Sequence, residues 1–251
     1  MELNIIEAKK ISKSFNTSKL EQKVLDNISI GIGEGQFTVI MGASGAGKST
    51  LLYALSGMDK VDSGEITMCS EEISNMSSDQ LAVFRRKHCG FVFQKVCFLE
   101  NLNLLDNILA AGMLVNKRDI VTAYAKELLE QVNVNENIWN KYPNEVSGGE
   151  AQRAGIVRAL INKPEVVFAD EPTGALNSNN GRAVLDVLTK VNEKGQSILL
   201  VTHDLMTAVR GERIIYIRDG KIFGECNLGK YTVGDTERIL KLKQFLEKMG
   251  W

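Results

Sequence analysis

The segment that most restricts the fold of this chain is GASGAGKS at residues 42–49, directly after the apolar run FTVIM at residues 37–41. It matches the pattern G-x-x-x-x-G-K-[ST] and lies between a predicted strand and a predicted helix, as a phosphate-binding loop requires. Its three glycines let the backbone turn so that successive N–H groups point inward, and the next helix adds the positive end of its dipole. The sequence therefore predicts an α/β protein that binds a nucleotide phosphate here.

Every residue of this phosphate loop, and Thr50 directly after it, is predicted to contact the nucleotide. The set is Gly42, Ala43, Ser44, Gly45, Ala46, Gly47, Lys48, Ser49 and Thr50. We expect Lys48 to reach the β- and γ-phosphates and the Ser49 hydroxyl to bind Mg²⁺. The alternative is an ordinary glycine-rich turn, and the strand before the loop and the Lys-Ser-Thr run after it count against that alternative.

A second segment supplies the carboxylates that such a site needs. The run VVFADE at residues 166–171 reads as a buried strand followed by two acidic residues. Asp170 is predicted to bind Mg²⁺, and Glu171 is predicted to act as the base toward a water in line with the γ-phosphate. An Asp-Glu pair after an apolar run is a weak signal alone, and it gains weight from the phosphate loop earlier in the chain.

Composition excludes several other functions. The chain has 251 residues, 44% of them hydrophobic, and 30 Lys+Arg against 31 Asp+Glu give a formal net charge of −1. This balance predicts neither nucleic-acid binding by phosphate neutralisation nor a polybasic membrane contact. Its apolar runs are only strand-sized, so we expect no direct membrane insertion. Four cysteines without CxxC spacing and an N-terminus unlike a signal peptide predict a cytoplasmic location.

The strand pattern predicts two β layers. Residues 5–11 and 24–32 resemble an antiparallel hairpin, whereas residues 37–41, 166–170 and 197–201 are continuous apolar runs typical of buried parallel strands. Residues 214–218 and 221–225 flank Asp219-Gly220, a pair suited to a type I′ hairpin turn. The predicted core is a mainly parallel sheet with an antiparallel layer beside it.

Helices are predicted in the middle and at the end of the chain. Residues 74–145 look largely helical, with a helix from residue 120 capped by Asp119, and residues 184–191 read as another helix. Residues 236–249 form a predicted amphipathic helix that docks on its own domain through one apolar stripe. The stripe consists of Ile239, Leu240, Leu242, Phe245, Leu246 and Met249.

A third motif changes the interpretation of the site. Residues 147–150 read Ser-Gly-Gly-Glu and open a helix, which again offers N–H groups to a phosphate, although the chain already has its phosphate loop. A second phosphate-binding segment indicates that it binds the nucleotide held by a partner subunit. The phosphate loop, VSGGEAQR, VVFADEPT and Thr202-His203-Asp204, in this order, resemble the ATP-binding cassette (ABC) ATPase family over residues 5–224.

The resemblance implies roles for further residues and names ATP and Mg²⁺ as the cofactors. Gln94, at the end of GFVFQ, matches the glutamine that contacts Mg²⁺ and senses a transmembrane partner. His203 matches the histidine that contacts the γ-phosphate, and Phe15 is the candidate aromatic that stacks on adenine, with a plain packing role as the alternative. His88, beside a run of basic residues, is expected to be merely exposed.

Ser147, Gly148, Gly149 and Glu150 match the signature that contacts ATP across a dimer, and the chain departs from the family there and at one other position. Glu150 replaces the more usual glutamine, from which we expect little change. Asn177 replaces the usual aspartate of GALN, which removes a negative charge where two subunits meet. Because Glu171, His203 and Ser147 are all present, a homodimer would have two sites competent for hydrolysis.

The resemblance extends to a subfamily and to a domain plan. DQLAVFRR at residues 79–86 and FADEPTGALNS at residues 168–178 resemble ATPases of the macrolide-export and lipoprotein-release type, closest to the bacitracin and lantibiotic resistance branch. This implies a separate transmembrane permease as partner and attachment to the inner face of the membrane through it. Residues 1–228 would form the ATPase domain, with a helical subdomain at about 74–160, and residues 229–251 a helical tail.

Soluble members of the family are the alternative class. The DNA-repair type needs a long coiled coil between phosphate loop and signature, and only 147 − 48 = 99 positions separate Lys48 from Ser147. The translation-factor type carries two cassettes in one chain, whereas this chain has one. An iron–sulfur assembly ATPase and a cell-division regulator remain open, because a shared fold does not fix a function.

Overall fold

The computed structural model describes residues 4–17 and 20–251. The chain divides into two compact units. The first unit consists of Met1–Ala82 and Gly195–Trp251, and the second unit consists of Val83–Lys194. The second unit is thus an insertion in the sequence of the first.

The strands and helices are numbered in chain order. The strands are β1 (Asn4–Thr17), β2 (Leu20–Gly33), β3 (Phe37–Met41), β4 (Ser63–Met68), β5 (Glu71–Glu72), β6 (Cys89–Phe93), β7 (Val166–Asp170), β8 (Ser197–Val201), β9 (Arg213–Arg218) and β10 (Lys221–Asn227). The helices are α1 (Lys48–Leu55), α2 (Ser78–His88), α3 (Leu104–Gly112), α4 (Arg118–Gln131), α5 (Gly148–Leu160), α6 (Ser178–Glu193), α7 (Leu205–Ala208) and α8 (Thr236–Met249). Two short 3₁₀ helices lie at Glu136–Ile138 and Pro143–Glu145.

The first unit contains the predicted antiparallel layer. Its strand order is β2-β1-β4-β5, and every neighbouring pair is antiparallel. Ile6 pairs with Ile32 on one side and with Met68 on the other, and all three side chains are buried. The hairpin prediction is confirmed, although β1 and β2 are longer than predicted. β4 and β5 were not predicted because polar residues dominate both strands.

The parallel strands of the first unit carry the phosphate loop. β3 lies between β8 and β9 and is parallel to both, and all five of its side chains are buried. β9 and β10 are antiparallel and joined by the predicted turn, in which Asp219 has φ 50° and Gly220 has φ 71°. Both residues therefore adopt the left-handed conformation that a type I′ turn requires.

Helix α8 has the bounds that the sequence predicts, but the prediction that Leu240 lies on its buried face is wrong. Leu242 and Leu246 are buried, whereas Leu240 is 59% exposed. The third buried position is Arg238, four residues before Leu242. Because positions four residues apart share one face of a helix, residues 238, 242 and 246 form the buried row.

The second unit combines helices with two strands. β6 and β7 are parallel, and Phe91 of β6 is opposite Phe168 of β7. Helix α4 begins earlier than predicted, because Lys117 is its N-cap and Asp119 lies in its first turn, where a carboxylate still favours the helix dipole. The predicted helix at residues 184–191 is part of the longer α6. Among the described residues, no helix combines the length and apolar character needed to cross a bilayer.

Candidate functional site

The phosphate loop connects β3 to α1 through two positions that only glycine fits. Gly42 has φ 156°, and a Cβ there would lie 2.2 Å from the carbonyl oxygen of Ile217. Gly47 has φ 97°, and a Cβ there would lie 2.8 Å from the carbonyl oxygen of Val24. A side chain at either position would both strain the backbone and collide with main-chain atoms. The motif glycines are therefore required by the packing of the loop.

Lys48 lies within the curve of this loop. It is the first residue of α1 and only 8% exposed, and its Nζ donates to the carbonyl oxygens of Gly42 and Ala43, each at 2.9 Å. Gly47, the N-cap residue, has no side chain that could cap the helix. A buried ammonium beside the start of a helix without a side-chain cap fits a polyphosphate, and the Ser49 hydroxyl follows in the first turn as a hard oxygen ligand suited to Mg²⁺.

The β9–β10 turn contacts the phosphate loop through main-chain hydrogen bonds. Gly220 N donates to the Ala46 carbonyl oxygen at 3.3 Å, and Asp26 N donates to the Gly220 carbonyl oxygen at 2.9 Å. Ala46 is buried, while Ala43, Ser44 and Gly45 face solvent. The loop is thus anchored at its base, and its rim is accessible to a ligand.

Phe15 presents its ring to solvent at the end of β1. The residue is 44% exposed, and Lys13 Nζ lies 5.3 Å from the ring centroid. That ammonium is itself fixed, since it donates to Asp59 Oδ1 at 3.1 Å and to the Lys60 carbonyl oxygen at 2.6 Å. The aromatic ring is therefore outside the core and accessible to a ligand.

His203 lies in the exposed turn between β8 and α7. Thr202 before it is buried, and Asp204 after it caps α7 by accepting a hydrogen bond from Thr207 N at 2.6 Å. Asp204 N donates to Thr202 Oγ1 at 3.0 Å, which tightens the turn. The backbone on both sides of the histidine is thus held, and its imidazole is at the surface.

In the second unit, Glu171 directly follows β7 in a strained conformation. Its φ of 46° is rare for a residue with a side chain, and such strain collects at functional positions. Its carbonyl oxygen accepts from Gly174 N at 3.0 Å, which closes a tight turn after Asp170. A Cβ at Gly174 would lie 2.7 Å from Gln94 Nε2, so the glutamine side chain lies against this turn. The structure thereby brings Gln94 and the Glu171 turn together.

The signature serine begins α5 with a capping box. Ser147 Oγ accepts from Glu150 N at 3.3 Å, and Glu150 Oε2 accepts from Ser147 N at 2.8 Å and from Ser147 Oγ at 2.6 Å. The hydrogen bonds from the serine hydroxyl and N–H hold the pKa of the Glu150 carboxyl below its usual value. Ser147 and Gly148 are exposed, so the start of α5 faces solvent.

Asn177 keeps a structural task despite the missing charge. Its Oδ1 accepts from Asn180 N at 3.0 Å and caps α6. A Cβ at Gly149 would lie 2.7 Å from Cγ of Asn180, so the signature loop packs closely against the first turn of α6. The asparagine thus helps to hold the helix turn on which the signature glycine rests.

The expectation that His88 is merely exposed is wrong. Its side chain is partly buried, its ring stacks on Phe84 at a centroid distance of 4.5 Å, and its Nδ1 lies 3.0 Å from Glu165 Oε2. The basic residues before His88 predict that it is exposed, but at the end of α2 its side chain lies against Phe84 and Glu165. Sequence reasoning also missed Gln152, which is 2% exposed and donates to the Phe93 carbonyl oxygen, directly before Gln94, at 2.8 Å.

Comparison with known proteins identifies the family. The family described as "ABC transporter" matches residues 25–174. The bacitracin export ATP-binding protein BceA of Halalkalibacterium halodurans is 42% identical over 98% of this chain and 96% of its own. The lipoprotein-releasing system ATP-binding protein LolD of Buchnera aphidicola subsp. Schizaphis graminum is 39% identical over 89% of this chain and 98% of its own.

This chain is also similar in structure to an ATP-binding cassette that was solved as a dimer. That structure is the post-hydrolysis state of the ATP-binding cassette MJ0796, bound to ADP and Pi. It superposes with a TM-score of 0.83 at 35% identity and covers 90% of this chain and 100% of that one. The family match over residues 25–174, the near full-length relatives and this solved cassette together show that the chain is an ATPase of the ATP-binding cassette family.

Proposed function

We propose that the chain is the ATP-hydrolysing subunit of a transporter that closes as a dimer on ATP and Mg²⁺ and drives a separate transmembrane permease. Its substrate class is an antimicrobial peptide or a lipid-linked molecule, exported or otherwise removed. The observation that carries the substrate class is the 42% identity, over almost the whole chain, to a protein named for bacitracin export. The permease would recognise the transported molecule.

In the first unit, the phosphate loop together with Phe15 and His203 would bind the nucleotide and offer a ligand to the metal. The phosphate loop donates its N–H groups to the phosphates, and Lys48 places its ammonium against the β- and γ-phosphates. Phe15 stacks on the adenine, and His203 donates to the γ-phosphate. Ser49 supplies a hydroxyl ligand for the metal, which when bound neutralises charge on the phosphates.

In the second unit, three residues would carry the metal and the chemistry. Asp170 and Gln94 offer oxygen ligands to the metal. Glu171 would orient the attacking water and accept its proton as the water oxygen bonds to the γ-phosphorus and the bond to the bridging β–γ oxygen breaks. The negative charge that develops on the leaving ADP would be stabilised by the N–H groups of the loop and by Lys48. The close packing of Gln94 on the turn that Glu171 begins supports a joint role for the two side chains.

The dimer would complete each site with residues of the other copy. Ser147, Gly148, Gly149 and Glu150 would contact the nucleotide bound by the partner's phosphate loop. The exposed start of α5 and the likeness to a cassette solved as a dimer support this arrangement. Two identical chains would then form two sites, each competent for hydrolysis.

Membrane attachment would come from the permease. The loop after Gln94 would form the contact, and the chain would lie at the cytoplasmic face of the membrane. Residues 1–228 would act as the ATPase domain, with a helical subdomain at about 74–160, and residues 229–251 as a helical tail.

The test replaces the proposed base and the proposed phosphate ligand. Glu171→Gln keeps the shape of the side chain but cannot accept a proton, so the variant should bind ATP, fail to hydrolyse it and accumulate as a dimer in size-exclusion chromatography with ATP and Mg²⁺. Lys48→Ala removes the ammonium from the loop and should weaken ATP binding by more than about tenfold. Lys60→Ala, outside the loop, is the matched control and should bind ATP normally.

Two results would contradict the proposal. A Glu171→Gln chain that binds ATP and stays monomeric at tens of micromolar would refute the dimer. An unchanged ATP affinity in Lys48→Ala would refute the phosphate loop as the binding site.

A further inference from the structure

The segment after Gln94 is an irregular loop with an unusual backbone. Residues 94, 95, 97 and 99 are exposed, and Cys97 has φ 52°, which is uncommon for a residue with a side chain. The Cys97 thiol donates to the Lys95 carbonyl oxygen at 3.1 Å. A loop of this kind needs contacts from elsewhere to keep a single conformation.

Those contacts come from α5, the helix that Ser147 caps. Arg158 donates from one guanidinium nitrogen to the Val96 carbonyl oxygen at 2.5 Å and from the other to the Cys97 carbonyl oxygen at 2.8 Å. Its guanidinium also lies 4.7 Å from the ring centroid of Phe98. Three successive residues of the loop are thus held by one planar, charged group, as the fixed fork of an arginine allows.

Two further contacts place the loop on the same helix. Gln152 donates to the Phe93 carbonyl oxygen at 2.8 Å, one residue before Gln94. A Cβ at Gly155 would lie 3.0 Å from Cγ1 of Val96, so the helix backbone and the loop are in close contact. Along α5, residues 152, 155 and 158 therefore bind the segment from residue 93 to residue 98.

The guanidinium of Arg158 loses part of its hydration in this arrangement. Loss of water lowers the pKa of the Arg158 guanidinium, and the group contacts two carbonyl oxygens and an aromatic face. A positive charge is partly desolvated in order to fix a loop. The same loop carries Gln94, whose side chain lies against the turn of Glu171.

We propose that Arg158 is a positioning residue that joins the loop at residues 94–98 to helix α5, so that the loop and the signature serine move as one element. Eleven residues separate Ser147 from Arg158, which corresponds to about 16 Å of helix. The inference rests on the proposed function, since it assumes that Ser147 acts in an ATP-closed dimer. A displacement of the loop by a permease is then transmitted to the partner's nucleotide, and closure at Ser147 is felt at the loop.

Cys97 provides a native reporter on the loop, because its residue is exposed. The full-length chain with Glu171→Gln is treated with N-ethylmaleimide in ATP and Mg²⁺ or in ADP and Mg²⁺, and the rate of modification of Cys97 is read by peptide mass spectrometry. The ratio of the two rates measures the coupling between dimer closure and the loop. With Arg158 in place we expect this ratio to differ from one by about fivefold or more, in the range of ordinary coupling between sites.

Two variants and a control decide the role of Arg158. Arg158→Lys keeps the charge but replaces the planar fork, which bonds two carbonyl oxygens and lies over the Phe98 ring, by a single nitrogen. Arg158→Met removes the charge at similar length. In both, the ATP-to-ADP ratio at Cys97 should fall below about twofold, while ATP binding and the dimer remain. Arg182→Lys, an exposed arginine of α6, should leave the ratio unchanged.

The ratio separates positioning from simple stabilisation. A purely structural role would lower the melting temperature and raise both rates together, so the ratio would stay as in the parent chain and the proposal would be overturned. A parent chain that dimerises on ATP without any change at Cys97 would also overturn it. A parent chain that does not dimerise on ATP contradicts the proposed function itself, a result visible by size exclusion before any thiol is modified.

Discussion

Replacing Arg238 by methionine should detach helix α8 from the rest of the first unit. The side chain is 3% exposed, and its guanidinium donates five hydrogen bonds of 2.5–3.1 Å to main-chain carbonyl oxygens. The acceptors belong to Val209, Gly211, Leu228, Gly229 and Lys230. One side chain of the tail thus holds both the chain after α7 and the chain after β10.

The loss of stability in Arg238→Met depends on which of these carbonyl oxygens can bind water once the guanidinium is gone. The last three acceptor residues are half-buried or exposed, so their carbonyl oxygens can bind water in the variant. Val209 and Gly211 are buried, and each of their carbonyl oxygens loses a charged donor at a cost of about 1–3 kcal/mol. Methionine recovers part of this by burying apolar surface, which leaves a loss of about 3 kcal/mol. For a chain of this length that corresponds to a decrease in melting temperature of about 6–12 °C.

Thermal and urea unfolding measure the loss, followed by far-ultraviolet circular dichroism. The chain has two tryptophans, and Trp251 lies two residues after the end of α8, so a Trp139→Phe background makes fluorescence specific to the tail. Arg218→Met is the matched control, because Arg218 is exposed and makes one hydrogen bond to the same tail, at 3.3 Å to the Met249 carbonyl oxygen. We expect that control to change stability by less than about 1 kcal/mol. An Arg238→Met chain that melts within about 2 °C of the parent would show that these hydrogen bonds do not hold α8 in place.

Two further predictions concern the site. Gly47→Ala should weaken ATP binding by more than about tenfold and destabilise the chain by about 1–3 kcal/mol, because φ is 97° and the new Cβ would lie 2.8 Å from Val24 O. Gly45→Ala, where φ is 79° but nothing lies within 4 Å, should lose less ATP affinity in titrations with a fluorescent ATP analogue. Equal losses of affinity in the two variants would contradict the steric argument. Glu150→Gln should flatten the fall in stability on acidification: the pKa of Glu150 is lowered from 4.5 in the folded chain, so its contribution is complete above pH 4.5 and lost as the pH falls through the lower folded value. Since the carboxyl is largely exposed, the difference should stay below about 1 kcal/mol. Glutamine can still complete the capping box, so a stability to urea that falls equally in the variant and the parent from pH 6 to pH 3.5 would show that the charge of Glu150 contributes nothing.

Some of the fold could be predicted because the relevant signal is local. β3, β7 and β8 are short apolar runs with turn signals at their ends, and their predicted bounds agree with the structure. Helix α8 is also predicted with its bounds, since Asp235 precedes it as a cap and Gly250 ends it in the left-handed conformation. In each case residues within one turn of the boundary determine it.

The errors arise where distant residues decide. Asp119 is a good capping residue, but α4 begins two residues earlier. Leu240 belongs to a broad apolar stripe, yet the buried row of α8 is set by Arg238, whose acceptors lie 8 to 29 residues away in sequence. His88 is partly buried because Glu165 and Phe84 meet it in space.

The same reasoning explains which parts of the candidate site were missed. Gly42, Lys48 and Ser147 are visible in the sequence because motif spacing fixes their local geometry. Gln152 and Arg158 contact loop carbonyl oxygens about 60 residues earlier, and no pattern in the sequence announces such a partner.

The place of β3 in its sheet bears on how the chain is made. Both neighbours of β3, namely β8 and β9, come from the part of the chain that follows the second unit. At the usual pace of translation, about ten to thirty seconds pass between the emergence of β3 and that of β8. During that interval an apolar strand with two unpaired edges is present on the ribosome, while the second unit, continuous in sequence, can already fold. β3 is therefore prone to aggregation while the chain is being made, and a truncation before residue 197 would leave its edges exposed.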